Sequence, residues 1–200
     1  IFGVTILMAG VLLLASLITF SPEDPNFIFP NDTEIKNILG FRGSFIADIF
    51  FQSFGMIAIL IPFSLIVPGI NIIINKNFFL ILQSSFFTIL YSIFGSLFFS
   101  FFYPITFKLY INGNGGFIGK YLETTFLNSL ITTSPQISYY ILVLSILVLF
   151  LFSIQFKISS FYILVKKILK FLSSKKEKNY TNKNEIINEF IPQEEIKSLI

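Results

Sequence analysis

Few residues in this chain belong to the types that do chemistry, so each can be weighed in turn. The segment Gly113–Lys120 (GNGGFIGK) invites comparison with a phosphate-binding loop. Such a loop needs Gly, four residues, then Gly-Lys followed by Ser or Thr, so that backbone N–H groups and the lysine cradle phosphate. Here Asn114 stands at the first glycine position and Tyr121 at the hydroxyl position, so the reading fails. The dinucleotide fingerprint fails too, because Ile118 occupies its last glycine position. Glu23 and Asp24 could hold a cation, but two adjacent acids point in different directions, and a solvated turn is the expectation. Asp48 is the one acid near a long apolar run. It could carry a proton, pair with Arg42, or sit in the first turns of a helix, near water and the positive end of the helix dipole. The last of these is the cheapest and is the expectation.

Ser84, Thr88, Ser92, Ser96 and Ser100 recur every four residues, with Gly95 beside them. That spacing places them on one helix face. Hydroxyls without an ionisable partner make a poor ion pathway. Small residues on one face let helices approach closely in lipid, so helix packing is the expected role, within one subunit or between subunits. The lysines near the C-terminal end could touch DNA phosphates. Lys166, Lys167 and Lys170 flank an apolar face, however, and lipid head groups are the simpler partner.

The elements that must position these residues are apolar rods. Of 200 residues, 54% are hydrophobic and 12% charged, about half the charge of an ordinary soluble domain. With 28 phenylalanines the composition points to an all-α, multi-pass membrane protein. The absence of Cys and His removes thiolate chemistry, most zinc sites and His-based acid–base catalysis. No cofactor or metal is expected in these residues.

Residues 1–20 carry no charge, and neither does Ile49–Asn75; roughly 20 apolar residues cross a bilayer as a helix. The expected membrane domain is 1–156, with spans at about 1–20, 44–75, 78–103 and 137–156. Kinks are expected at Pro62 and Pro68, which each remove a backbone donor. Phe117–Leu130 suits a short interfacial helix. Residues 157–174 read as an amphipathic interfacial helix and 175–200 as the start of a cytoplasmic linker. Nine of the 14 basic residues lie from Lys157 onward. The positive-inside rule therefore places that end in the cytoplasm, and four spans put both chain ends there. The chain opens inside an apolar run and stops without a terminal signal, so a piece of a longer protein is expected.

Several short patterns come in order along the chain. Ser21-Pro22-Glu23-Asp24-Pro25 follows the first span, then Asn37-Ile38-Leu39-Gly40 and Gly43, then Ala47-Asp48, then Phe54-Gly55 and Pro62. Gly115-Gly116-Phe117-Ile118-Gly119 precedes the last span. This ordered set resembles the N-terminal four-helix membrane domain of FtsK/SpoIIIE-type DNA translocases, over about residues 1–172. The resemblance implies a membrane anchor and assembly domain at the division septum of the bacterial inner membrane, acting in cell division and chromosome segregation. It also implies a hexameric motor outside these residues, with ATP, Mg and DNA bound only there, and division proteins as partners. This fragment itself would not be an enzyme. The competing expectation from the residues is a small transporter or channel subunit, with Asp48 and the hydroxyl stripe lining a route.

Overall fold

The computed structural model describes residues 1–25, 34–104, 112–156 and Lys166. The described residues are all-helical, and no strand occurs among them. The helices are α1 (Phe2–Ile18), α2 (Gly40–Phe54), α3 (Phe63–Asn75), α4 (Phe79–Phe102), α5 (Gly116–Glu123), α6 (Leu127–Thr133) and α7 (Pro135–Ser153). They form an integral membrane helical bundle. The amphipathic helix and linker expected over 157–200 lie outside the described residues, Lys166 excepted; Lys166 is helical and exposed.

The stretch 44–75, expected as one kinked span, is instead α2, a 3-10 turn over Gly55–Leu60, and α3. One break sits at Gly55 and a second at Ile61-Pro62, between the 3-10 turn and α3. Gly55 has φ +70°, a left-handed conformation open to glycine at little steric cost. A Cβ there would also run into the carbonyl oxygen of Asn114. Pro62 then serves as the N-cap of α3, where a missing N–H does no harm. Pro68 lies inside α3 and is fully buried.

α1 and α3 run antiparallel in close contact. Gly3 lies against Gly69 and Ile72, and Gly10 against Leu65 and Ile66. α3 turns into α4 through Lys76, at φ 54°, and the Asn77 side-chain oxygen accepts the N–H of Phe79 at 3.1 Å. α4 then runs back along the 3-10 turn and α3, with Gly95 against Ile57 and Ser84 and Tyr91 against Ser64. α7 returns antiparallel to α4, pairing Phe98 with Tyr139, Tyr91 with Phe150 and Phe87 with Phe152. The bundle therefore has a turn end, marked by Lys76, and a loop end opposite. Phe2 meets Phe78 at 5.5 Å, and Gln155 donates to Leu80 O at 2.9 Å. The start of α1 and the end of α7 are thus both at the turn end.

Glycine supports this fold in two separable ways. A Cβ at Gly69 would lie 2.8 Å from the backbone N of Leu7, so Gly69→Val should push α1 from α3. The expected loss is roughly 1–3 kcal/mol. Gly40 has open space around its Cβ position but φ +65°, so Gly40→Ala should cost only ~1 kcal/mol, through the backbone. Equilibrium unfolding of the detergent-solubilised protein measures both.

Candidate functional site

The polar groups that could act chemically gather at the loop end, in two clusters joined by α2. In the first, Asp24 is 3% exposed. Its carboxylate accepts the N–H of Lys36 at 2.8 Å and of Asn37 at 2.9 Å. Asn37 is buried in turn; its amide donates to Ser16 O at 2.8 Å, and its oxygen accepts Leu39 N at 3.1 Å. The Ser16 hydroxyl donates to Gly43 O. Gly43 is left no room for a side chain, because a Cβ there would meet the Asn37 oxygen. Ser44 donates to Pro25 O at 3.4 Å. Asp24, Pro25 and Gly43 thus meet where the end of α1 is bound to the start of α2, with Ser21 O accepting Asp24 N at 3.1 Å and Gly40 N donating to Asn37 O at 2.8 Å, while Pro22 is exposed.

This corrects the expectation of a solvated acidic turn. Asp24 is a buried acceptor, while its neighbour Glu23 is exposed and pairs with Lys36. The hydrogen bond and charge of Lys36 hold the Glu23 carboxyl below its usual value, and Glu23 holds the Lys36 ammonium above its own. The pair is intact between those two values. It is lost as pH falls through the depressed Glu23 value or rises through the raised Lys36 value. Both side chains are exposed, so the pair adds little to stability.

The second cluster closes on the far end of α2. Met56 N donates to Asn114 O at 2.9 Å, and the Ser96 hydroxyl donates to Phe54 O at 2.9 Å. Asn114 is fully buried and its amide donates to Tyr103 O. Gly115 and Gly119, four apart on α5, pack on Ser96 and Ser100, four apart on α4. Gly116 lies against Gly55, and the Ser100 hydroxyl donates to the Glu123 carboxylate. A cleft of about 240 Å³ beside these residues is walled by Asn112, Lys120 and Glu123. The GNGGFIGK segment is a packing joint here, its Gly116 N–H turned onto Gly113 O at 3.1 Å.

Between the clusters, Asp48 is 6% exposed and lies in the third turn of α2, not at a helix start. Its contact is Gln52 Nε2 at 3.5 Å, and Asn112 Nδ2 approaches Gln52 at 3.4 Å. No ion pair joins it to Arg42 among the described residues, and none of its hydrogen bonds there reaches the stripe on α4. The first turn of α2 begins at Gly40, four residues earlier than expected, which moves Asp48 inward.

The stripe faces the interior of this same chain. Ser84 donates to Ser64 O at 2.9 Å and Ser153 O at 2.6 Å, one hydroxyl hydrogen shared between two carbonyls. Thr88 meets Ser153 Oγ at 2.9 Å, and Ser92 is buried. Sequence reasoning missed Ser16 and the glycines Gly3, Gly10 and Gly69; it had Asn37 only within a family-like pattern and Asn114 only as a mismatch to a phosphate-binding loop. Gly3 and Gly10 are seven apart, a spacing that places two small residues on one helix face. No such signal marks the others, whose partners are distant in the chain. No cluster of three or more His, Cys, Asp or Glu suited to a metal occurs among the described residues.

The two adjacent acids should therefore separate on substitution. Asp24→Ala leaves the buried N–H of Asn37 and the part-buried N–H of Lys36 unmet and should cost roughly 1–3 kcal/mol, with faster amide exchange at Lys36 and Asn37. Glu23→Gln should leave the melting temperature almost unchanged. Thermal unfolding with residue-resolved hydrogen exchange reads both.

Comparison with curated proteins and with solved structures gives no match. A family model described as the 4TM region of DNA translocase FtsK/SpoIIIE matches residues 1–166. That match takes in α1 to α7 and both loop-end clusters. The chain belongs to the family of FtsK/SpoIIIE DNA translocase 4TM regions, the membrane part of such a translocase and not its motor.

Proposed function

We propose that this membrane-anchoring region acts at the bacterial division septum, as the assembly platform of a translocase whose ATP-driven motor lies beyond these residues. One observation carries the reading. The buried polar side chains of the bundle are engaged mainly with its own backbone carbonyls and N–H groups, as at Asp24, Asn37, Ser84 and Ser96. Such a bundle is built to hold a shape in lipid. Tethering motor domains beside one another raises their effective concentration, which favours a homo-oligomeric ring, a hexamer in this reading. DNA, ATP and Mg are bound by the motor alone, and division proteins are met at the septum.

The start of α1 and the end of α7 share the turn end. The lysine-rich exit follows α7, so the turn end belongs on the cytoplasmic side by the positive-inside rule. Lys166, Lys167 and Lys170 then contact anionic head groups of that leaflet.

Fluorescent-protein fusions to residues 1–200, expressed in dividing bacteria, test this. The expected result is a midcell band, with fluorescence from a cytoplasm-dependent reporter placed after Phe156. Uniform envelope fluorescence would overturn the septal role, and a dark reporter the orientation. Asp48→Asn should leave both unchanged; a loss of ion or solute flux on that substitution would favour a transporter instead.

A further inference from the structure

The segment Gly40–Leu60 is 21 residues long and apolar enough to cross a bilayer. Its anchor points say otherwise. Its start is tied to Ser16, in the last turn of α1, and its end to Ser96 of α4 and to Asn114. α1 and α4 run parallel, because each is antiparallel to α3. Both ties are therefore at the loop end. A helix of 15 residues is ~22 Å long, and α2 lies across the bundle for that length. The crossing from loop end to turn end is made by Gly55–Asn75. Its contacts pass along α4 in order, from Ile57 at Gly95, through Ser64 at Tyr91 and Ser84, to the Lys76 turn.

Two further observations agree. A carboxylate at mid-membrane costs about 3 kcal/mol on insertion scales, and a transverse α2 keeps the buried Asp48 near head-group depth. The outward face of α2 is not polar, as a helix lying in water would require: Phe41, Ile46 and Ile49 are exposed, with Arg42 beside them. α5 and α6 show the same character at the same end, with Phe117, Tyr121, Phe126 and Leu130 exposed and Lys120 alongside. The exposed apolar flank of α7 begins at that end with Ile137, Tyr140 and Ile141, so the surface is continuous with a lipid-facing helix.

We propose that α2, α5 and α6 form a non-crossing collar seated in the head-group boundary of the loop-side leaflet. Phospholipid is its partner. The aromatic and aliphatic side chains enter the upper acyl region, and Arg42 and Lys120 meet lipid phosphates. The domain is then wider in that leaflet than in the other. This does not depend on septal placement or on the motor.

The chain has no Trp, so single substitutions report cleanly. Phe41→Trp, Ile49→Trp and Phe117→Trp would each be reconstituted as the 200-residue chain in phosphatidylcholine vesicles carrying lipids brominated near the glycerol or near the chain ends. Leu144→Trp, exposed midway along α7, marks the membrane centre. In a collar, the indoles introduced by Phe41→Trp and Ile49→Trp lie within about one helical turn, ~5 Å, of equal depth. Both, and the indole of Phe117→Trp, are quenched best by the shallow bromines, while that of Leu144→Trp is quenched best by the deep ones. A crossing α2 would place the indole of Ile49→Trp ~12 Å deeper than that of Phe41→Trp, and that result would overturn the proposal. So would protection of all three from every brominated lipid, which would mean that a second protein chain covers the surface.

Discussion

A backbone carbonyl without a donor is costly in a bilayer, because no water is there to meet it. Helices end, and prolines interrupt them, so every bundle with broken helices must find donors for the carbonyls left over. In this chain α4 supplies them. Ser96 donates to Phe54 O, at the end of α2. Ser84 donates to Ser153 O, at the end of α7, and to Ser64 O. Ser64 O is orphaned because the residue four positions on is Pro68, which has no N–H. A single unbroken helix thus serves as a rail of hydroxyl donors for its interrupted neighbours. Two of the five stripe hydroxyls, Ser84 and Ser96, do this; Thr88 turns to Ser84 O of its own helix and to Ser153 Oγ, and Ser100 to Glu123.

The loop end extends the same logic with stronger groups. Ser16 O lies among the unpaired carbonyls of the last turn of α1, and the Asn37 amide meets it. Asp24 meets the N–H groups of Lys36 and Asn37 in the loop that follows. At the other end of α2 the backbone N–H of Met56 finds Asn114 O. Glycine makes each approach possible, at Gly43 against Asn37 and at Gly55 against Gly116. Several residues of the short patterns read in the sequence, among them Asp24, Asn37, Gly43, Gly55 and Gly116, are these contact points. They occur as separated dipeptides and tripeptides because each cluster draws on segments far apart in the chain.

How much could be read from residues alone follows from the range of each interaction. The apolar rods and the buried face Ser84–Ser100 were legible, because composition and a period of four are local. The break at Gly55 was not. It sits inside an uninterrupted apolar run, and its cause, Asn114, is nearly sixty residues away. Glu23 and Asp24 are alike as sequence; only the folded loop brings two N–H groups to one of them. Asp48 was expected at a helix start because Gly40 and Gly43 looked like the approach to a helix, whereas the helix already begins at Gly40. The amphipathic exit was readable as a pattern, and its residues fall outside those described, apart from Lys166.

The claim that α4 exists to satisfy interrupted helices is tested most directly by a double-mutant cycle between Ser84 and Pro68. Pro68→Ala gives Ser64 O an N–H within its own helix and removes its need for the serine. Unfolding free energies would be measured in one detergent for the parent, Ser84→Ala, Pro68→Ala and the double variant. The account predicts that Ser84→Ala costs less in the Pro68→Ala background, by roughly 0.5–1 kcal/mol. An equal cost in both backgrounds would contradict it.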